Sequence, residues 1–252
     1  MALAVVAVLA LAQTPGGREM LARGLEGLLA GEDGAGVHIR GIGAGLPARL
    51  QVERIEVADA AGTWLAIDDL LLAWRPAALL AGRLRIYELS ARVVDVARPP
   101  ASSGEPAPAE PPAPPHLPRL PLGVRVDRLG IGELRLGESI AGRPMRLGID
   151  GRLAAADPGR GGLIRTALSV VPLDGGSGAI LLDADLDPAT SNLALRASID
   201  EPEGGLVSGL LGLPERAPLA VRLAGDGPLQ RWQGSLDASA GGVGKLALSL
   251  SL

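Results

Sequence analysis

Few residues of this chain have the types and spacing that chemistry requires. His38 and His116 are the only histidines, and neither lies in an HxH or HExxH pattern, which argues against a metal site or a catalytic triad. The carboxylate pairs Asp68-Asp69 and Asp183/Asp185 would need more oxygen ligands nearby to bind calcium or act in catalysis. A strand with a solvated outer face carries carboxylates by default. We therefore predict no catalytic residue, no metal site and no cofactor.

Two other ligand classes are also disfavoured. The run from Gly41 to Gly45 (GIGAG) lacks the GK[ST] continuation and the strand–helix context of a phosphate loop, so it predicts a turn. The net charge is −4, the basic residues are scattered, and no Lys/Arg block is interleaved with aromatics, so we expect no nucleic-acid partner. The chain has no cysteine, which excludes disulfides and thiolate metal sites.

The composition favours an aliphatic surface over a thick core. Hydrophobic residues make up 47% of the 252 residues, but only 2% are aromatic. Ordinary compact domains use aromatics as bulky core fillers, whereas the apolar residues here are mainly Ala, Leu, Val and Ile. A genome rich in Ala, Gly, Pro and Arg codons would produce a similar bias, and the single lysine, Lys245, agrees with that alternative.

The first 31 residues predict a membrane-proximal start. Residues 1–13 contain an uncharged apolar run, ALAVVAVLALA, which is shorter than the roughly twenty residues of a full span. We interpret it as a partial transmembrane signal anchor; a cleaved signal sequence is the alternative. Residues 14–31 predict a short amphipathic helix that begins at Thr14-Pro15 and caps the following sheet. Gly24 and Gly27 weaken this helix, so a loosely ordered spacer is the alternative.

Residues 32–98 predict the first segment of a β-sheet, because apolar residues recur at every second position. After Pro76, residues 77–82 predict a helical turn with Leu79 and Leu80 directed inward. The apolar pairs of this segment are Val37/Ile39, Leu50/Val52, Ile55/Val57, Leu65/Ile67, Leu70/Leu72, Leu84/Ile86 and Val94/Val96.

A short pattern repeats along the chain. Residues 50–57 (LQVERIEV), 84–91 (LRIYELSA) and 124–131 (VRVDRLGI) each place two polar residues between two apolar-x-apolar pairs. In a regular strand the second pair would lie on the opposite face. We predict a β-bulge at the inserted residue, which keeps both pairs on one face. The alternatives are that both faces are used or that the strand breaks there.

Residues 99–121 hold ten of the 21 prolines and predict a linker or a long loop between adjacent strands. Residues 122–252 return to alternation, with an apolar insertion at residues 206–213, and we expect this second segment to be truncated at its C-terminus. Strands recur there at about ten-residue spacing, as in an antiparallel meander. The predicted strands are Val124–Leu136, Arg146–Leu153, Ile164–Val170, Ala179–Leu186, Leu193–Asp200, Leu219–Ala224, Gly234–Ala240 and Lys245–Leu252.

Several motifs, taken in order, resemble the TamB family of translocation and assembly module subunits, within the AsmA-like group of Gram-negative envelope proteins. They are the apolar run followed by TPGGRE, the stretch GAGVHIRGIGAGLPARLQVERIEVADAAGTWLAIDDL, the stretch LLLAWRPAALLAGRLRI, LPLGVRVDRLGIGELRLG after the prolines, and AGDGPLQRWQGSLDA. The residues that carry the resemblance most specifically are Trp64, Trp74, Pro76, Leu79, Leu80, Gly82 and Trp232.

This resemblance implies a mainly β protein with an elongated, curved, taco-like antiparallel β-groove. It also implies a single-pass anchor in the cell inner membrane, with the bulk of the chain in the periplasm, and membrane phospholipids as partners. An Omp85-type outer-membrane partner would bind through a C-terminal region that the motifs matched here do not include. The implied function is non-enzymatic transport of phospholipid toward the outer membrane, together with support of outer-membrane protein biogenesis and protein secretion.

Two functions follow as hypotheses. An aliphatic groove could shield acyl chains, since each CH2 removed from water is worth about 0.8 kcal/mol; alternatively, an open strand edge could receive client β-strands of autotransporters or outer-membrane proteins. The residues predicted to line the groove are Val37, Ile39, Leu50, Val52, Ile55, Val57, Leu65, Ile67, Leu84, Ile86, Val124, Val126, Leu129 and Ile131.

Overall fold

The computed structural model describes residues 36–43, 45, 47–101, 123–155, 162–174 and 178–251. They form one long, open sheet of twelve strands, so the chain is mainly β as predicted. The predicted anchor (1–13), the predicted amphipathic helix (14–31), His116 and most of the proline-rich segment (99–121) lie outside the described residues. Within the described part of the chain, none of the helices has the length and apolarity to cross a bilayer.

The strands lie side by side in chain order, β1 to β12. The alternation of apolar and polar residues predicted the positions of these strands well, because successive side chains of a half-buried strand point in turn to its apolar and its polar side. In sequence order they are β1 Gly36–Ile42, β2 Arg49–Asp59, β3 Gly62–Trp74, β4 Arg83–Val96, β5 Gly123–Leu136, β6 Met145–Ala155, β7 Ile164–Pro172, β8 Ala179–Asp187, β9 Asn192–Glu201, β10 Leu219–Asp226, β11 Gln233–Ala240 and β12 Gly244–Ser251.

The sheet is mixed, so the expectation of a purely antiparallel sheet was wrong. Every neighbouring pair is antiparallel except β4 and β5, which are parallel. A parallel neighbour requires the chain to return along the whole strand before it pairs. The segment 97–122 between β4 and β5 is long enough for that return, because an extended chain spans about 3.3 Å per residue. The proline-rich segment therefore connects adjacent strands of one sheet.

The parallel pairing places two copies of the sequence repeat side by side. Leu84 lies opposite Val124, Ile86 opposite Val126, Leu89 opposite Leu129 and Ala91 opposite Ile131. In both strands the inserted residues are bulged: the register of β4 shifts against β3 at Ala73/Trp74, and that of β5 shifts against β6 between Val126 and Leu129. The predicted bulges in these two copies are confirmed.

The copy of the repeat in β2 is bulged without a register shift, because its neighbours carry matching irregularities. The ladder pairs of β2 omit Glu53, which lies between Gly41 of β1 (φ 67°) and Asp69 of β3 (φ 51°). Both of these neighbours have left-handed backbone, which is uncommon for a residue other than glycine. These matched irregularities produce a register shift against the regular strand β6, between Ile131 and Leu134. A separate shift between β2 and β3 lies at Val57/Ala58.

Short helices lie at the two ends of the strands. At one end, α1 (Glu138–Ala141) contacts α2 (Leu206–Leu210), and α2 also contacts β9. The buried carboxylate of Glu201 accepts hydrogen bonds from the N–H groups of Val207 (2.9 Å) and Ser208 (3.1 Å), which caps α2. Helix α2 lies within the apolar insertion at residues 206–213. Ala141, Met145, Leu147, Ala217 and Leu219, which form much of the buried core, lie at this end.

At the opposite end, Pro76–Ala81 forms a 3-10 helix that ends at Gly82 in left-handed conformation. A helical turn was expected there, but the inward direction of its leucines was wrong. Leu79 is 43% exposed and Leu80 is 93% exposed. The helix lies beyond the ends of the strands, and no residue of it is buried. Two shorter 3-10 helices, Pro214–Arg216 and Leu229–Arg231, complete the described elements.

Candidate functional site: an apolar face across twelve strands

Cross-strand pairing joins the apolar residues into rows that run across the sheet. Residues directly opposite each other in neighbouring strands lie on the same face. One unbroken row of partners consists of Leu50, Leu72, Leu89, Leu129, Gly151, Leu168, Leu182, Ala197, Leu223, Leu236 and Leu248. A second row consists of Ala91, Ile131, Ile149, Val170, Ile180, Ile199, Val221, Ala238 and Leu246.

Strand β6 shows that these rows share one face. Gly151 and Ile149 are two residues apart in a strand whose register against β7 is regular throughout, so their rows face the same side. A Cβ built on Gly151 would meet the side chains of Leu168 (3.2 Å) and Leu129 (3.6 Å), which places the neighbouring leucines over this glycine. We call the surface formed by these rows and the rows parallel to them the apolar face.

All fourteen residues predicted to line a groove lie on the apolar face. Ile55 lies opposite Ile39 and Ile67, and the row continues through Val94 and Leu134 to Leu147 of β6. The row that begins at Leu50 reaches Gly151, which is also in β6. Leu50 and Ile55 are five residues apart, so a regular strand would have put them on opposite faces. The bulges at Glu53 and at the equivalent positions of the neighbouring strands restore the common face.

The other surface, which we call the polar face, carries the charges. Residues such as Ser90, Asp150, Ser169, Ser198 and Asp237 occupy the pairing rows between the apolar ones. The carboxylate pairs considered for chemistry lie here as ion pairs: Asp68 with Arg54 (2.7 Å), Asp69 with Arg92 (2.5 Å) and Asp185 with Arg165 (3.5 Å). His38 is an exposed residue of β1. Among the described residues, no three metal-ligating side chains converge.

Ion pairing shifts the protonation of several groups on the polar face. The hydrogen bond from Arg54 (2.7 Å) lowers the pKa of Glu56, and Arg40 adds a second bond. The pKa of Asp174 is lowered by hydrogen bonds from the side chain and N–H of Arg146 (2.7 and 2.9 Å). These carboxylates stay ionised at neutral pH, so this surface is hydrated and charged, in contrast to the apolar face.

No described element covers the apolar face as a second layer. All twelve described strands belong to one sheet, and the main contacts of each strand are with its neighbours in that sheet. The helices lie at the ends of the strands. Domains ordinarily bury the apolar side of a sheet against another layer. Most side chains of this face are half-buried by their neighbours, and on the edge strand β12 Leu246 and Leu248 are 50% and 44% exposed. The described strands therefore form a single open sheet with an extended apolar surface, the kind of surface on which interaction sites are often found.

One end of the apolar face is partly closed by α2. A cavity of about 140 Å³ lies between this helix and the sheet, and Met145, Leu147, Val170 and Ile180 line it together with Leu206 of α2. The lining is mainly aliphatic, with the carboxylates of Asp174, Asp200, Glu201 and Glu203 and the guanidinium of Arg143 around it. This end therefore combines an apolar cavity with a charged border.

Two of the motif tryptophans, Trp232 and Trp74, lie at the opposite end of the strands. The Trp232 indole is 6% exposed and donates a hydrogen bond from Nε1 to the carbonyl oxygen of Leu193 (2.9 Å). Its ring lies over Gly225 and Gly234, where an added Cβ would come within 2.3 and 2.6 Å of it. Trp74 donates from Nε1 to the carbonyl oxygen of Pro47 (2.6 Å). The role of the two glycines was not predicted, although their position around Trp232 in AGDGPLQRWQG could have indicated it.

The remaining motif residues are not brought into one cluster. Trp64 is half-buried near the start of β3, whereas Pro76, Leu79 and Leu80 lie in the 3-10 helix that follows the end of this strand. No protein-family model matches this chain, and neither a curated protein nor a solved structure shows significant similarity to it. The resemblance to the TamB family therefore stays a prediction from the motifs.

Proposed function

We propose that this protein is a non-enzymatic lipid conduit that shields phospholipid acyl chains on its apolar face. The observation that supports this proposal most strongly is the unbroken apolar face, which crosses twelve strands without a described covering layer. A folded protein in water leaves such a surface open only where a ligand or partner covers it. The motif resemblance to the TamB family is consistent with the same class of ligand.

The chemistry of the apolar face suits an acyl chain that moves along it. Each CH2 group taken from water contributes about 0.8 kcal/mol, and the rows consist almost wholly of Leu, Ile, Val and Ala side chains. Few side chains on this face can form hydrogen bonds, so they fix no single position for a ligand. An acyl chain that has no fixed position can slide along the apolar face more readily than it can bind tightly at one point. The bulges in β1–β5 add local twist to the sheet.

The proposal extends to location by way of the resemblance. The protein would be anchored in the inner membrane by residues 1–13, with the sheet in the periplasm. It would move phospholipid toward the outer membrane and support outer-membrane protein biogenesis. An Omp85-type partner would bind a region that follows the segments matched here in the family.

A second function, a scaffold for client β-strands, would use an outer strand of the sheet. Among the described residues β12 is such a strand, since it pairs with β11 alone. Its residues are almost all exposed, and its sequence alternates as a client strand would need to continue the sheet. Lipid binding on the apolar face and strand addition at β12 use different groups, so one experiment can separate them.

Adjacent leucines of β8 provide a matched test of the lipid conduit. Leu182 lies on the apolar face, whereas Leu181 is 44% exposed on the polar face. Leu182→Glu would place a carboxylate among acyl chains and Leu181→Glu would place it in water, where it costs far less. The assay is crosslinking to a phospholipid with a photoactivatable acyl chain. We expect Leu182→Glu to abolish labelling and Leu181→Glu to retain it.

The same assay applies to charges at Leu65, Ile67 and Val126, which lie at other points of the apolar face. Labelling that persists in Leu182→Glu, with circular dichroism showing an intact sheet, would refute the conduit. Loss of client assembly on substitution of β12 residues by proline, with lipid labelling unchanged, would support the scaffold instead. Proline removes the N–H that an added strand requires.

A further inference from the structure

The 3-10 helix at Pro76–Ala81 forms a corner of the sheet with an unusual composition. It projects Leu80, which is 93% exposed, and Leu79, which is 43% exposed. Backbone hydrogen bonds attach the corner to the sheet: the N–H of Arg75 donates to the carbonyl oxygen of Arg85 (2.8 Å) and that of Gly123 donates to Gly82 (3.1 Å). The two leucines are therefore held outward by a fixed support.

Four arginines line a cavity at the 3-10 helix that carries these leucines. Arg75, Arg83, Arg85 and Arg125 line a cavity of about 620 Å³ together with Ala77, Ala78 and Ala81 of the 3-10 helix. We call these arginines with Leu79 and Leu80 the basic corner. Arg85 and Arg125 are direct neighbours across the parallel strands β4 and β5, so two like charges face the same side.

The carboxylates near the basic corner do not neutralise it. Among the described residues, Asp127 is the only one that pairs with its arginines, by contacts with Arg125 and with Arg85 (3.5 Å). The Nε of Arg85 is buried without a hydrogen-bond partner. Arg75, Arg83 and Arg125 are exposed. Among the described residues, four guanidiniums stand against one paired carboxylate, which is a local excess of positive charge in a chain of net charge −4. The overall composition therefore does not explain the cluster.

We propose that the basic corner docks on the surface of an anionic phospholipid bilayer. Arginine forks bind phosphate oxygens in pairs, and basic residues at an anionic leaflet each contribute to its attraction. The exposed leucines supply the apolar contact with the acyl boundary that interfacial anchors use. Nucleic acid would satisfy the arginines but would leave Leu79 and Leu80 without a role, so a bilayer accounts for more of the surface.

The position of the corner gives this contact a consequence for the rest of the sheet. Leu84 lines the cavity of the basic corner and also lies in the outermost row of the apolar face, opposite Val124. A bilayer bound at the corner would therefore adjoin the end of the apolar face that is remote from α2. The docking contact itself does not depend on whether the apolar face carries lipid.

A single fluorescent label can report this contact in the full chain, because the protein has no cysteine. Leu80→Cys, labelled with an environment-sensitive dye, is mixed with vesicles of phosphatidylcholine that contain or lack phosphatidylglycerol. Leu211→Cys is the matched control, since Leu211 is 63% exposed at the end of α2. We expect a blue shift for the Leu80 label on anionic vesicles only, its weakening in high salt, and no shift for the Leu211 label.

Charge variants then test the arginines. Each neutralised arginine should weaken the interaction about fivefold, so the double variant Arg75→Gln/Arg83→Gln should require about twenty-five-fold more anionic lipid for the same shift. Arg222→Gln, an exposed arginine of the polar face far along the sheet in β10, should behave as the parent.

A Leu80 label that stays in water on anionic vesicles, or a double variant that responds like the parent, would overturn the proposal. An equal blue shift with duplex DNA would also overturn it. The outcome is separable from that of the conduit, because Leu182→Glu should leave the Leu80 signal unchanged and Arg75→Gln/Arg83→Gln should leave acyl-chain labelling unchanged.

Discussion

The packing of Trp232 over Gly234 predicts how the free energy of unfolding changes when a strand glycine is replaced by alanine. The same substitution at two positions, Gly234→Ala and Gly130→Ala, tests this prediction. Gly234 and Gly130 both lie inside strands, and neither has a positive φ. An alanine Cβ at position 234 would lie 2.6 Å from Cη2 of Trp232 and 2.8 Å from the carbonyl oxygen of Ala224. At position 130 the nearest atom would be Cβ of Ser90 at 3.8 Å, which is an ordinary contact.

These distances predict opposite signs. Gly234→Ala overpacks a buried site, which costs about 1–3 kcal/mol because the ring or the backbone must move. Gly130→Ala meets no obstacle and reduces the entropy of the unfolded chain, which stabilises by about 0.4–1 kcal/mol. The two variants should therefore differ by about 1.5–4 kcal/mol in free energy of unfolding. Urea unfolding, followed by circular dichroism of the sheet, measures this difference.

The Trp232→Leu background provides the control for this reasoning. A smaller side chain frees part of the space over Gly234, so the cost of Gly234→Ala should fall there, although the contact with Ala224 remains. Equal urea midpoints for Gly234→Ala and Gly130→Ala would refute the packing. An unchanged penalty in the Trp232→Leu background would show that the ring is not its cause.

Two further predictions concern polar contacts. The side-chain hydrogen bonds from Arg98 to Asp59 (2.8 and 2.5 Å) lower the pKa of this carboxyl, so its stabilisation is complete above the unfolded value of about 3.9 and is lost as the pH falls below it. Thermal unfolding from pH 7 to about pH 2 should show this loss begin below the unfolded value and grow as the pH falls further, and Asp59→Asn should show less of it. Equal pH dependence of the two proteins would contradict the assignment. Glu201→Ala removes the cap of α2 and should destabilise the protein by about 1–2 kcal/mol in urea, whereas Glu203→Ala, at an exposed position, should have little effect. A larger loss for Glu203→Ala than for Glu201→Ala would exclude the capping role.

Much of the apolar face could be predicted from the sequence because its information is local. A strand with one hydrated face must alternate, so the positions of β5 to β12 and the side on which each aliphatic residue lies follow from period two. The repeat at residues 50–57, 84–91 and 124–131 departs from period two by one inserted residue. A β-bulge at that residue keeps both apolar pairs on one face, so the departure itself predicted the bulge. All fourteen predicted lining residues consequently lie on one face.

The partners of each strand were decided only by the tertiary structure, because pairing joins residues distant in sequence. Alternation is equally compatible with a parallel or an antiparallel neighbour, so the parallel match of Leu84 with Val124 was not predictable from either strand. The exposure of Leu80 depends on where its helix lies relative to the strand ends, and the burial of Trp232 depends on two glycines in neighbouring strands. The sequence by itself thus determined which side chains are apolar together. Long-range hydrogen bonding decided which of them meet, and which remain open to a ligand.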